Sequence, residues 1–347
     1  MNSPISLQQL GWQPFFQQQI SLEELEQQTL ARVSAHHRNE YVLRSEQQTL
    51  SLVVSSATLG LTLGDWVLLD STAQFVRRLD RKSLFSRKAP GSGISAQLIA
   101  ANVDTVFIVC SLNDDFNLSR IERYLALAHE AEVTPVVVLT KADLCRDSES
   151  KIIAAQQLTP LLDVVAINAL DPVSVEILKP WCRPGQTISL LGSSGVGKSS
   201  LVNSLLGEQQ QKTAGIRQDD SKGRHTTTAR SMHFLASGSV LIDTPGMREL
   251  QLADCETGVS QTFSDIEQLA SQCKFSDCKH ENEPGCVVRE RIASAQLDER
   301  RLNNYLKLQA EQERNAIALH EARAKDKQFG KMVKNVGSFS RQLKRGE

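Results

Sequence analysis

The chain has 347 residues, with 39 Lys/Arg against 40 Asp/Glu and a formal net charge of −1. That length fits two or three domains, and the balanced charge excludes a global field that would advertise a nucleic-acid partner. No apolar stretch approaches the roughly 18 residues of a membrane span and no signal-peptide pattern opens the chain, so a cytoplasmic protein with reduced or metal-bound cysteines is expected.

Residues 1–29 read as an extension. They are rich in Gln, carry three Glu, and place Leu7, Leu10, Trp12, Phe15 and Phe16 as an amphipathic piece to pack on another domain. Residues 30–86 hold short strand-like runs at 30–33, 40–43, 50–54 and 66–69, broken by Gly60 and Gly64. This spacing predicts a small closed barrel of the five-stranded OB type, either a binder of oligonucleotides or a spacer. A basic run follows, with Arg77, Arg78, Arg81, Lys82, Arg87 and Lys88 against Asp80. It is either a solvated face or a phosphate-contacting one.

Residues 87–252 read as an α/β domain. Residues 86–100, with Pro90, Gly91 and Gly93, are expected to be a loop. Residues 105–111 read as a strand, and 118–132 as a helix with Ile121, Leu125 and Ala128 on one face. Strand and helix then alternate to about residue 250, which implies a mainly parallel sheet covered by helices.

The motifs sit at the ends of those strands. Thr140, Lys141, Ala142 and Asp143 follow the apolar run 136–139. A carboxylate there can accept from guanine N1–H and the exocyclic amine, a donor pair that adenine lacks, and the Lys141 stem can lie along the base. Asn168 and Ala169 follow the run 164–167 and can back the base through a backbone N–H. The run 187–191 leads into Gly192, Ser193, Ser194, Gly195, Val196, Gly197, Lys198, Ser199 and Ser200. This is the G-x-x-x-x-G-K-[ST] phosphate loop, entering a helix at about 199–206. Lys198 would reach the β- and γ-phosphates and Ser199 would meet Mg²⁺. Asp243, Thr244, Pro245 and Gly246 follow the run 240–242; Asp243 is the Mg²⁺-side carboxylate and the Gly246 N–H faces the γ-phosphate.

The set belongs to a GTP-binding site, but its order is permuted: the base-reading loops precede the phosphate loop. Position 247, where many G proteins carry a water-orienting Gln, is Met247. His225, within 223–228, either orients or deprotonates the attacking water, or contacts RNA or simply caps its loop. One of Thr226, Thr227 and Thr228 completes the Mg²⁺ shell, with Thr227 favoured. Arg224 and Arg230 are phosphate clamps or RNA contacts.

Residues 253–347 read as a helical zinc-binding domain. Cys273, Cys278, His280 and Cys286 offer three thiolates and an imidazole within fourteen residues, which suits one closed, structural Zn²⁺. Gly285 permits the tight turn of such a knuckle. A long charged helix is expected around 287–316. A basic tail closes the chain, with eight Lys/Arg from Arg323 onward against Asp326 and Glu347. The 287–316 stretch lacks sustained a/d heptads, so a monomer is expected.

The chain resembles the small-subunit-dependent ribosomal GTPases of bacteria, the RsgA or YjeQ family, which are circularly permuted. The matches are 64–67, 101–104, 140–143, 192–200, 223–228, 243–246 and the cysteine cluster 273–286. The resemblance implies an OB barrel, a permuted P-loop GTPase domain and a zinc domain. It implies late maturation of the 30S subunit, contact with 16S rRNA, and turnover of GTP to GDP stimulated by that subunit. Many members begin with a basic tail, whereas this chain begins with a Gln-rich, acidic-leaning segment. The competing reading is an RNA-binding module with a structural, non-cycling nucleotide. The permutation joins 243–246 directly to the zinc domain, so γ-phosphate loss is expected to move that domain.

Overall fold

The computed structural model describes residues 5–37, 39–88, 96–113, 115–207, 230–244 and 255–317. Two short helices, α1 (Pro14–Gln17) and α2 (Leu22–Gln27), open the chain. Ser21 and Glu24 cap α2 reciprocally, each side chain bonding the other's backbone N–H. Five strands follow: β1 (Thr29–His36), β2 (Glu40–Arg44), β3 (Thr49–Val53), β4 (Trp66–Leu69) and β5 (Phe75–Arg78).

Alternation along these strands separates two packed faces. Ala31, Val33, Tyr41, Leu43, Leu52, Val67 and Leu69 make one cluster. Leu30, Trp66 and Leu68 point the other way, onto Leu10 and Phe16 of the N-terminal segment. That segment is therefore the cover for the second face of β4, which is buried along its whole length. Burying each large apolar side chain is worth about 1.5–3 kcal/mol, which is why an acidic-leaning, Gln-rich stretch is held in place.

The expected closed barrel is not seen. Among the described residues β3 and β5 are not paired with each other. Instead β1 shifts register between Val33 and Ala35 and carries on to pair with a strand of the α/β domain (Ala35↔Ser231, His36↔Arg230). A bulge of this kind bends and re-aims a strand. The β unit and the α/β domain thus share one eleven-stranded sheet.

Residues 86–100 are not simply a loop. β6 (Leu84–Lys88) and β7 (Ala96–Ala101) form an antiparallel pair. Phe85, Ile99 and Ala100 are buried in the main core, which stabilises the pairing despite the Pro and Gly residues between.

The α/β domain runs β8 (Thr105–Ser111), α3 (Leu118–Glu130), β9 (Thr134–Thr140), α4 (Ser148–Gln156), β10 (Asp163–Ala166), α5 (Pro172–Val175), β11 (Thr187–Leu191), α6 (Lys198–Leu206), β12 (Arg230–Phe234) and β13 (Val240–Asp243). The order across the sheet is β10-β9-β8-β11-β13-β12. All neighbours are parallel except β12, which is antiparallel to β13. Parallel strands covered on both faces read as continuous apolar runs, and β8 is buried at every residue.

The C-terminal part holds α7 (Glu256–Thr262), α8 (Ser264–Ala270), α9 (Val287–Ala293) and α10 at 299–317. The single helix expected over 287–316 is broken. Ala295 adopts φ 55°, and Asp298 Oδ1 accepts from the Arg300 N–H at 2.8 Å, capping a new helix. α7 lies on α3 at Gly258, where a Cβ would fall 2.0 Å from the Ala126 carbonyl oxygen. Among the described residues no helix is long and apolar enough to cross a membrane.

Candidate nucleotide site and Cys/His cluster

Parallel strands present their carboxyl ends on one edge, where α/β sheets bind ligands. β9 ends at Thr140, β10 at Ala166, β11 at Leu191 and β13 at Asp243, so the motifs meet there. Register fixes their depth. Ser189 lies opposite Ile242, and its hydroxyl donates to the Ile242 carbonyl at 2.8 Å.

The phosphate loop leaves β11 through Gly192, where a Cβ would sit 2.3 Å from the Val109 carbonyl oxygen. Only glycine lets the loop pass this close to β8. Lys198 opens α6 and is buried; its ammonium donates to the Gly192 carbonyl at 2.6 Å and to the Ser193 carbonyl. Ser194 and Gly195 are exposed, Val196 is buried, and Gly197, Ser199 and Ser200 are half-buried. A lysine, a hydroxyl and the backbone of a glycine-rich turn form a donor set suited to phosphate.

The base-side loop is tied to the phosphate loop. Thr140 Oγ1 donates to the Val196 carbonyl at 2.5 Å, and Lys141 Nζ to the Gly195 carbonyl at 3.1 Å. Lys141 takes φ 60°, which turns the chain so that Ala142 N–H reaches the Ile167 carbonyl at 3.1 Å. Asp143 is exposed at this turn. Asn168 is braced by Ser174 Oγ, which accepts its backbone N–H at 2.9 Å, and Ser204 Oγ of α6 donates to the Ala169 carbonyl at 2.7 Å. Asp243 is buried at the end of β13. His225, Thr227 and Gly246, together with Thr226, Thr228, Arg224, Met247 and the basic tail, lie outside the described residues.

The four metal-ligand candidates converge. One donor atom from each of Cys273, Cys278, His280 and Cys286 lies within 4.8 Å of the others. His280 Nδ1 is 3.4 Å from Cys286 Sγ and 3.8 Å from Cys273 Sγ, close to the roughly 3.5–3.8 Å edge of a tetrahedral S/N zinc site. Cys286 caps α9, and Arg289 Nε steadies the turn by donating to the His280 carbonyl at 2.6 Å. Burial lowers the His280 pKa and keeps the ring neutral, the form that binds metal. This cluster can hold a metal ion.

The basic run 77–88 is largely engaged within the protein. Arg77 pairs with Glu24 at 2.9 Å, and this contact with the Ser21 N–H holds the Glu24 carboxyl at about 2. Arg81 grips Asp65 at 2.7 Å through two nitrogens, and Lys82 pairs with Asp104 at 2.8 Å. Among the described cations of this run, Arg78 and Lys82 are exposed, and Lys82 keeps its pairing with Asp104. A count of cations along the sequence therefore overstates the free charge.

Sequence reasoning missed a pair beside the phosphate loop. Arg120 donates to Asp115 at 2.6 Å and to Ser193 Oγ at 3.1 Å. Burial opposes charge on Asp115, but the hydrogen bond and charge of Arg120, with the Ser193 hydrogen bond and the Lys141 charge, together outweigh it and lower the pKa. The available signal was an acidic, Asn-containing loop, 113–117, directly after a buried strand.

The RsgA GTPase family model matches residues 78–253. The chain belongs to the RsgA GTPase family. Small ribosomal subunit biogenesis GTPase RsgA 2 of Vibrio vulnificus is 59% identical over 343 residues, covering 99% of this chain and 98% of that protein. Small ribosomal subunit biogenesis GTPase RsgA of Mesorhizobium japonicum is 46% identical over 316 residues, covering 89% and 91%. The crystal structure of YjeQ from Thermotoga maritima superposes with a TM-score of 0.60 at 27% identity, covering 81% of this chain and 97% of that one. A model of ABC transporters matches residues 176–340, a stretch that contains the phosphate loop but not the base-side loop at Thr140–Asp143. Like its family, the chain is a P-loop GTPase.

Proposed function

We propose that this GTPase acts in late maturation of the small (30S) ribosomal subunit, binding the subunit and its 16S rRNA and hydrolysing GTP to GDP faster when bound. The names of relatives 46–59% identical over most of the chain support this reading. The observation that supports the nucleotide assignment is the tie between Thr140 and Val196, which joins the loop carrying exposed Asp143 to the phosphate loop.

In this reading Asp143 accepts from guanine, Lys141 lies along it, and Asn168 with Ala169 backs it. Residues 192–200 wrap the phosphates and Lys198 neutralises charge developing on them. Ser199, Thr227 and Asp243 would hold Mg²⁺, which would stabilise negative charge on the phosphates when bound. Gly246 meets the γ-phosphate. His225 orients or deprotonates water when the ribosome is bound; full ribosome-stimulated turnover in His225→Ala would remove that role. Cys273, Cys278, His280 and Cys286 hold a structural Zn²⁺. The five-stranded unit, read as an OB-type module, and the zinc unit flank the GTPase domain as RNA-contacting parts of a cytoplasmic monomer.

The test of the base assignment is Asp143→Asn. It should weaken GTP and favour xanthosine triphosphate, whose 2-oxo group accepts from the new amide. Unchanged preference for GTP would contradict it.

A further inference from the structure

Arg120 stands in the first turn of α3. Its guanidinium bonds Asp115 and Ser193 Oγ, and Ser193 Oγ donates to Asp115 Oδ2 at 3.1 Å. Ser193 is the second residue of the phosphate loop, so this three-way clasp fixes the loop to the start of α3.

Two residues on, Glu122 is fully buried. It accepts from Arg300 at 2.9 and 3.1 Å, Arg301 at 2.8 Å and Asn304 at 2.6 Å, all on α10. Arg300 also donates to Ser119 Oγ at 3.0 Å, and Asn304 to the Ser119 carbonyl at 3.2 Å. Arg301 continues to Asp265 at 2.7 Å and the Thr262 carbonyl at 2.9 Å. Positions two apart on a helix lie about 200° apart. One turn of α3 therefore holds the phosphate loop on one side and the C-terminal helices on the other.

A buried carboxylate must be fully partnered, and a partly broken cluster of this kind is costly. The seat of α10 on α3 is accordingly a single well-defined arrangement, and a rigid element of this sort transmits a bias from one end to the other. Free swinging of the C-terminal unit with the nucleotide state conflicts with it. Such a movement must carry α3 along or break the Glu122 cluster.

We propose that α3 couples the phosphate loop to the C-terminal helices, with Arg120 and Asp115 as positioning residues for Ser193 and Glu122 as the seat for Arg300, Arg301 and Asn304. Nucleotide binding and docking of α10 then stabilise each other by the same factor. This inference rests on the GTPase reading of the site.

The test is a double-mutant cycle in the full-length, zinc-loaded protein, read by titration with a fluorescent GTP analogue. Arg300→Met removes the side-chain bonds to Ser119, Glu122 and Asp298, leaving the cap from the Arg300 backbone N–H to Asp298, while Arg301 and Asn304 keep Glu122 partnered. It should weaken binding about 3- to 30-fold although Arg300 touches no part of the phosphate loop. In an Arg120→Met background the Arg300 effect should vanish. Equal affinities for the protein and its Arg300→Met variant, or additive effects, overturn the coupling. Failure of the unaltered protein to bind the analogue overturns the underlying nucleotide reading instead. Hydrogen exchange is a second readout: the analogue should slow exchange over 299–317 in the unaltered protein but not in Arg120→Met. No slowing in the unaltered protein refutes the coupling without any variant.

Discussion

Thr140 Oγ1 lies 2.5 Å from the Val196 carbonyl oxygen and donates to it, with Thr140 fully buried. The base-side loop and the phosphate loop, 56 residues apart in sequence, are joined there into one surface. Thr140→Val keeps the shape but strands the Val196 carbonyl, at a cost of about 1–3 kcal/mol. GTP affinity should fall about 5- to 100-fold, since each 1.4 kcal/mol is tenfold. Titration of the variant, with a melting curve to confirm folding, checks this. Unchanged affinity would mean that the two loops are positioned independently.

Acid should loosen the seat of α7 on α3. His129 Nδ1 lies 3.0 Å from Thr262 Oγ1, whose own hydrogen goes to the Gly258 carbonyl at 2.7 Å, so Nδ1–H is the donor. Burial lowers the His129 pKa below the ordinary 6.5. The unfolded chain therefore binds more protons just below pH 6.5, and the His129 contribution is present above that pH and lost as pH falls through the folded value. The urea midpoint should drop between pH 7.5 and 5.5, and drop less in His129→Gln. Equal drops would remove His129 from the account.

The Cys/His cluster should carry one equivalent of zinc. Removing it, or changing Cys286 to Ser, should lower the melting temperature by about 10 °C or more, because binding to a structural site is folding free energy. Metal analysis of protein prepared with zinc provides the check, and a metal-free protein with unaltered melting would refute the assignment.

Much of the site was legible because buried parallel strands read as apolar runs. β8 spans Thr105–Ser111 and β11 spans Thr187–Leu191, the bounds their composition predicts. Each motif follows such a run, so its place on the carboxyl edge came with the strand. Features set by tertiary contact were not legible. The β6–β7 pair is stabilised by burial of Phe85 and Ile99, which outweighs the turn-rich composition between them. The long C-terminal helix breaks at Ala295 without a Pro or Gly to announce it. Cations in the run 77–88 looked free until Glu24, Asp65 and Asp104 arrived from elsewhere in the chain. Arg32 reads as an ordinary polar residue of a strand, yet it is fully buried. It bonds Leu10, Gly64 and Asn102 carbonyls and Thr187 Oγ1, and burial lowers its pKa to about 10. None of these partners is local in sequence.

The most direct test is GTP hydrolysis by the purified protein with and without 30S subunits, using Lys198→Ala as the blank. The account predicts strong stimulation by 30S, none by 50S, and none in the variant. High turnover without ribosomes, or no stimulation with them, would contradict a GTPase triggered by the small subunit.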